Sequence, residues 1–238
     1  MKTLFTIIFI LTAASLSAQI NLLKKASDNV NSIIRSDVKL SESDIKKGLS
    51  EALKKGSEYA VNNASQHNGF NANQLIRIPF PPEAKNVKES LLKIGLQNQI
   101  RSFEESMNQA AESASKEALQ ILVNAIKQMN IQDAYSILKG ADNAATTYLE
   151  EQTRTGIYNA FKPIIGLSMQ KHKVAQKWTP LTTKYNTLPF TKDINTDLED
   201  YITNKAIYGL FVLIAQQEKE IRKDPLARTS DILRKVFD

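Results

Sequence analysis

The sequence N-I-Q-D-A-Y-S-I-L-K-G-A-D-N-A-A-T-T-Y-L-E-E-Q-T-R-T, residues 130–155, predicts a tight corner between two helices, and we take the rest of the chain from that corner outward. Asn130 is a residue type that caps helices, and it precedes a helical pattern over residues 131–139. Gly140 can adopt the left-handed conformation that ends many helices. Asp142 can then cap the next helix, because its carboxylate would lie at the positive end of the helix dipole.

Polar side chains are denser in this corner than elsewhere in the chain. As candidate ligand-binding residues we single out Arg77, Asp133, Asp142, Thr146, Thr147 and Tyr148. An enzymatic function would depend on Asp133, Asp142 and Tyr148. The competing interpretation is that the two aspartates cap helices and hold the corner together.

Helical periodicity dominates on both sides of the corner. Apolar residues recur every three or four positions from Leu96 to Met129, which predicts one long helix with an alanine-rich middle. The nearly all-apolar run A-I-Y-G-L-F-V-L-I-A, residues 206–215, predicts a helix buried on most sides. Ser41 with Asp44 resembles a capping box at the start of another helix. The chain therefore predicts an all-α fold, a bundle-like array of about seven to nine helices.

One stretch cannot be helical. Three prolines lie within L-I-R-I-P-F-P-P, residues 75–82, and they force an extended path that could cross the helices as a brace. Arg77 lies between apolar neighbours in this segment, so its side chain either extends to water or pairs with a buried acid. Pro163 predicts a kink or an end of its helix, and the prolines after Gly166, Pro180 and Pro189, predict further helix ends.

The first 18 residues have the three parts of a secretory signal. Lys2 is the positive start, residues 4–14 are the apolar core, and a small-residue exit ends at Ala18. We therefore expect cleavage near Ala18, with Gln19 as the mature start, and a periplasmic location. Residues 19–39 then form a helical arm, and residues 40–238 a single all-helical domain without a membrane-spanning segment.

Several chemistries are missing from the sequence. The chain has no cysteine, so thiolate catalysis, disulfides and cysteine metal sites are excluded. Its two histidines belong to no metal-binding motif, and no phosphate-binding loop or cofactor motif is present. We expect no metal and no cofactor. The adjacent acids Glu104 and Glu105 point in different directions on a helix, so we interpret them as solvated rather than catalytic.

The chain is basic, with a net charge of +6 and a pI near 9.3. Such a charge permits contact with an anionic surface or an envelope protein, although lysines that alternate with acids are also typical of solvated helix faces. The group Lys171, His172, Lys173 and Lys177 lies beside the tryptophan Trp178. This combination could touch a membrane interface, or Trp178 could be a core anchor; a nucleic-acid partner is not favoured.

Several strings together resemble a known bacterial family. They are R-I-P-F-P (77–81), S-M-N-Q-A-A-E (106–112), A-I-K-Q-M-N-I-Q-D-A-Y-S-I-L-K-G (125–140), A-A-T-T-Y (144–148), Y-I-T-N-K-A-I-Y-G-L-F-V-L-I-A-Q-Q-E-K-E-I-R (201–222) and L-R-K-V-F (233–237). The chain resembles the family catalogued as domain of unknown function 4197 from about residue 40 to residue 237. This resemblance implies an exported, mostly helical bacterial protein and implies no activity or catalytic residue.

Three functions remain open at this point. The first is a non-enzymatic binding or scaffolding protein of the cell envelope, which the missing catalytic motifs and the basic charge favour. The second is a lipid or small-molecule carrier with a pocket between the alanine-rich helix and the helix around residues 206–215. The third is an enzyme that uses the corner with Asp133, Asp142 and Tyr148.

Overall fold

The structure is a computed structural model that describes residues 40–188 and 196–237. The expected signal at residues 1–18 and the arm at residues 19–39 lie outside these ranges. Within them the chain forms nine α-helices and no strand, which confirms the all-α prediction. The helices are α1 (Glu42–Ser65), α2 (Lys85–Lys93), α3 (Gln97–Ser115), α4 (Ala118–Gln128), α5 (Ile131–Leu138), α6 (Ala144–Lys171), α7 (Val174–Asn186), α8 (Leu198–Lys223) and α9 (Asp231–Phe237).

Helix α8 lies at the centre of the array, where it packs against α1, α3 and α6. The apolar run at residues 206–215 is buried except at Tyr208, which is exposed, and at the half-buried Val212 and Ala215. The prediction of a helix buried on most sides is therefore confirmed. In the described part of the chain, no helix has both the length and the apolar character that crossing a bilayer requires.

Helix α1 is the second hub, because it contacts α3, α4, α5, α8 and α9. It begins with the expected capping box, in which the Asp44 amide donates to the Ser41 hydroxyl and the Asp44 carboxylate accepts from the Ser41 amide. The short helix α9 docks on α1 at Gly48. A Cβ atom there would lie 2.6 Å from a methyl carbon of Val236, so only glycine permits this approach.

Two predictions about helix ends were wrong. The helix expected from Leu96 to Met129 is two helices, α3 and α4, separated at residues 116–117. The Ser115 hydroxyl donates to the carbonyl of Ala111, a bond that competes with the regular helix pattern near this break. Conversely, Pro163 lies inside α6 and Pro180 inside α7. The break between α6 and α7 falls instead at His172 and Lys173, where there is neither proline nor glycine.

The extended path is confirmed for residues 77–81, whereas Leu75 and Ile76 lie in a turn and Pro82 begins a short 3-10 helix, Pro82–Ala84. The stretch from the turn at Phe70 to Phe80 passes across the buried centre of α8, and its side chains Phe70, Ile76, Ile78 and Phe80 are buried. Gly209 of α8 lies against this segment, because a Cβ atom there would be 2.7 Å from a ring carbon of Phe70 and 3.1 Å from the Cβ of Ile76. Close approach of this segment to α8 therefore requires a residue without a side chain at position 209.

We predict that Gly209→Ala destabilises the protein although alanine favours helices. Overpacking against Phe70 costs about 1–3 kcal/mol, which should outweigh the roughly 1 kcal/mol gained in helix propensity. Denaturant unfolding should show a net loss in the free energy of unfolding. Gly156→Ala in helix α6 is the matched control, because a Cβ atom at position 156 would be 3.5 Å from Ile121, which is an ordinary contact distance. A stability gain for both variants would contradict the prediction.

Candidate functional site

The corner between α5 and α6 is built differently from the prediction. Asn130 caps α5 as expected, in a capping box with Asp133. Gly140, however, does not adopt a left-handed conformation; among the described glycines only Gly95 has a positive φ. Glycine is needed at position 140 for space, because a Cβ atom there would lie 2.6 Å from the Cβ of Ala144. Asp142 does not cap α6 and instead forms an ion pair with Lys223.

The cap of α6 comes from Glu218 on α8. Its carboxylate accepts hydrogen bonds from the amides of Ala145 (2.9 Å) and Thr146 (2.8 Å) and from the Thr146 hydroxyl (2.7 Å). One turn further along α8, Arg222 pairs with Glu218 at 2.9 Å and donates to the carbonyl of Ile137 at the end of α5. A single buried pair thus binds the end of one helix and the start of the next.

The remaining candidate residues from the sequence are Asp133, Thr147, Tyr148 and Arg77. The Tyr148 hydroxyl donates to the Asp133 carboxylate at 3.2 Å, so the structure does bring these two together. Burial, followed by the charge and hydrogen bond of Asp133, raises the pKa of the Tyr148 hydroxyl. Thr147 is exposed. Arg77 is exposed and also pairs with the buried Glu104 at 3.0 Å, so its side chain both extends to water and contacts a buried acid.

The extended segment is held by polar side chains of α3. Glu104 accepts from the Phe80 amide at 3.1 Å, and it also pairs with Lys88 at 2.7 Å. Asn108 accepts from the Ile78 amide at 2.8 Å and donates to the Ile78 carbonyl at 2.9 Å. The prediction that Glu104 is solvated was therefore wrong, since only 6% of this residue is exposed.

Trp178 is a core anchor rather than a surface contact. Its ring stacks on Phe103, with 4.9 Å between centroids, and also contacts Phe80 at 5.4 Å. Aromatic pairs at such distances stabilise a core beyond their burial alone. The Trp178 ring therefore joins α7 to α3 and to the extended segment.

The two histidines meet in a polar cleft that the sequence did not indicate. This histidine cleft has a volume of about 380 Å³, and its lining residues are Ser65, His67, Gln109, Glu112, Ser113, Lys116, Lys171 and His172. Neither the imidazoles nor the two lysines have a hydrogen-bond or ion-pair partner among the described residues. Within the same residues, no group of three or more His, Asp or Glu side chains could hold a metal ion.

The charges in the cleft affect one another. Burial raises the pKa of the Glu112 carboxyl, although backbone hydrogen bonds and the nearby His67 oppose this shift. Burial also lowers the pKa of His172, and the positive charges of Lys171 and Lys177 lower it further. The lining of the cleft therefore holds several basic groups and one acid, Glu112, whose carboxyl interacts with His67.

Sequence reasoning missed Glu112 and Lys116 as cleft residues, but α3 does carry a signal. Glu104, Asn108, Glu112 and Lys116 recur every four residues, so they share one face of the helix. The first three are buried polar residues, and such residues require partners. Nothing in the sequence indicated that His67 and His172 would meet, because they are far apart along the chain.

We predict that Glu218→Ala strongly destabilises the protein. Removing one member of a buried ion pair leaves the Arg222 guanidinium uncompensated and α6 without its cap, which should cost about 3–5 kcal/mol. Denaturant unfolding measures this loss. Glu150→Ala is the matched control, because Glu150 also pairs with an arginine four residues later, at 2.6 Å, but the pair is exposed and should contribute less than about 1 kcal/mol. Equal effects of the two variants would contradict the prediction.

We also predict that Glu112→Gln changes how stability depends on pH. Because the folded-state pKa of Glu112 is raised, its contribution to stability is fully present below the unfolded-state pKa of about 4.3 and is lost as the pH rises through the folded-state value. The variant lacks this loss. Its free energy of unfolding should therefore increase relative to wild type as the pH rises above ~4. Ser113→Ala removes no ionisable group, so its free energy of unfolding should differ from that of wild type by the same amount at each pH.

Comparison with known proteins agrees with the resemblance seen in the sequence. The family model described as protein of unknown function (DUF4197) matches residues 39–238. Searches of curated proteins and of solved structures found no match. The matched range covers every helix described above and includes the corner, the extended segment and the histidine cleft. The chain therefore belongs to the DUF4197 family of proteins of unknown function.

Proposed function

We propose that this protein is an exported, non-enzymatic binding protein of the cell envelope, and that the histidine cleft is its binding site. One observation carries the proposal: the basic side chains of the cleft have no internal partner, whereas Asp133, Asp142 and Tyr148 of the corner are paired. His67, Lys116, Lys171 and His172 have no hydrogen-bond or ion-pair partner among the described residues. Unpaired basic side chains gathered in a concave site are groups that a ligand can use.

The geometry of the corner favours a structural role over an enzymatic one. Asp133 accepts from the Asn130 amide and from the Tyr148 hydroxyl, so its carboxylate is occupied. A raised pKa makes the Tyr148 hydroxyl a weaker acid, which is the opposite of what a catalytic tyrosine base needs. An enzyme built on Asp133, Asp142 and Tyr148 stays a prediction with less support.

A carrier function also stays a prediction. The small cavity beside Leu53, Ile214 and Phe237 has a volume of about 10 Å³, which is room for about one water molecule. A more apolar groove of about 440 Å³ lies between α3 and α7, lined in part by Leu96, Pro180 and Leu181, and it is open to solvent. Neither lies between the alanine-rich helix α3 and the centre of α8, where the carrier pocket was expected.

The test uses protein taken from its own cells. We expect it in the periplasmic fraction, with a mature N-terminus at or near Gln19, and native mass spectrometry should detect a bound small molecule. The charge-reversed variant Lys116→Glu with Lys171→Glu should lose that molecule. The control variant Lys46→Glu with Lys127→Glu should keep it, because those lysines line a different groove of about 400 Å³.

Two outcomes would overturn the proposal. Wild-type protein that carries no bound molecule, or one that both double variants retain equally, would remove the cleft as the binding site. A cytoplasmic protein that still begins at Met1 would remove the envelope location. The proposal is supported if wild type and the control variant carry the molecule and the cleft variant does not, whatever the chemical class of the molecule is.

A further inference from the structure

We propose that the histidine cleft binds a tetrahedral oxyanion, that is, the phosphate or sulfate group of a small molecule. This inference rests on the binding function proposed above and adds the ligand class. The two histidines of the chain come from separate elements, His67 from the loop after α1 and His172 from the end of α6. Together with Lys116 and Lys171 they surround one cleft of about 380 Å³, which is large enough for a small phosphorylated molecule.

The free groups of the cleft match an anion. Lys116 and Lys171 carry only hydrogen-bond donors, and a protonated imidazole also donates from both nitrogens. Glu112 is the one acid in the lining, but only 6% of this residue is exposed, and its carboxylate accepts a hydrogen bond from the Phe70 amide at 3.2 Å. Its carboxylate is therefore engaged by the loop that carries His67. Charge-assisted bonds from the four basic groups to an oxyanion would be the strong kind.

The residue after each histidine has a positive φ angle. Within the described residues, the two non-glycine residues with positive φ are Asn68, at 60°, and Lys173, at 57°. Each directly follows one of the two histidines. Asparagine tolerates this conformation, whereas for lysine it is uncommon and carries a cost of about 1–2 kcal/mol. Lys173 follows the last turn of α6, a position where helices commonly adopt the left-handed conformation, so at both histidines a turn of the chain carries the imidazole to the cleft.

Charge coupling predicts how binding depends on pH. The groups near His172 are Lys171 and Lys177, while His67 is near Glu112. Burial and the lysines lower the pKa of His172, so this imidazole is mainly neutral when the cleft is empty near neutral pH. A bound anion favours the protonated imidazole, and by linkage a lower pH then favours the bound anion.

The experiment is a calorimetric titration with inorganic sulfate, whose charge stays constant between pH ~5.5 and ~7.5 while histidine titrates. We expect saturable binding with a Kd below about 1 mM at the lower pH, and at least about tenfold weaker binding at the higher pH. NMR of the imidazole resonances should show that sulfate raises the pKa of His172. Lys116→Ala with Lys171→Ala should weaken binding about tenfold or more, and His67→Gln with His172→Gln should abolish its pH dependence.

Controls separate the site from general surface attraction and one ligand source from another. Lys46→Ala with Lys127→Ala removes two lysines from the other groove and should leave sulfate binding unchanged. Glycerol phosphate and vesicles that contain phosphatidic acid, both titrated at the lower pH, distinguish a soluble ligand from a lipid headgroup that carries the same phosphate group.

The overturning results are distinct. Sulfate binding that the cleft variants do not weaken, or that is independent of pH, would overturn the oxyanion assignment. If sulfate leaves the imidazole resonances unchanged while Zn²⁺ or a neutral molecule shifts both, the oxyanion class is wrong but the cleft remains a binding site, and the proposed function stands. The cleft is wrong as a binding site only if native mass spectrometry finds no bound molecule on the wild-type protein, or finds that both double variants retain it equally.

Discussion

The structure depends on how an extended segment satisfies its backbone inside an all-helical protein. An extended chain has no internal hydrogen bonds, and its buried amides need partners that a neighbouring strand would normally supply. Here the partners are side chains of α3, with Glu104 opposite Phe80 and Asn108 opposite Ile78. The spacing fits, because four helical residues rise about 6 Å and two extended residues span about 6.6 Å. Glu112 continues the series by accepting the Phe70 amide.

A second buried polar system, Glu218 with Arg222, performs the same task at the corner between α5 and α6. In both systems one helix supplies charged or amide side chains to the backbone of a distant segment. These two systems account for the candidates Arg77 and Thr146, while Asp133, Asp142 and Tyr148 are held by the separate contacts described above. The histidine cleft differs because its basic side chains have no such assignment, and that difference is the reason to regard it as a site.

Much of the fold could be predicted from local patterns. The capping residues Ser41 and Asn130, the extended path at residues 77–81 and the buried centre of α8 depend on neighbours in the sequence, and each was confirmed. The cap of α6 could not be predicted, because Glu218 lies 72 residues from the Thr146 amide that it accepts. The helix break at His172 has no proline or glycine to mark it. The cleft was missed for the same reason, since its histidines meet only through tertiary packing.

The docking of α9 on α1 has a consequence for the order of events in folding. Lys235 pairs with Asp44 at 2.7 Å, across 191 residues of chain, and Val236 fills the space left by Gly48. Helix α1, a hub of the core, therefore keeps one face uncovered until residues 231–237 have left the ribosome. Contacts at such separation form late, because the chain must first close a long loop. A nascent chain that lacks residues 231–237 therefore exposes the face of α1 that Val236 covers in the folded protein.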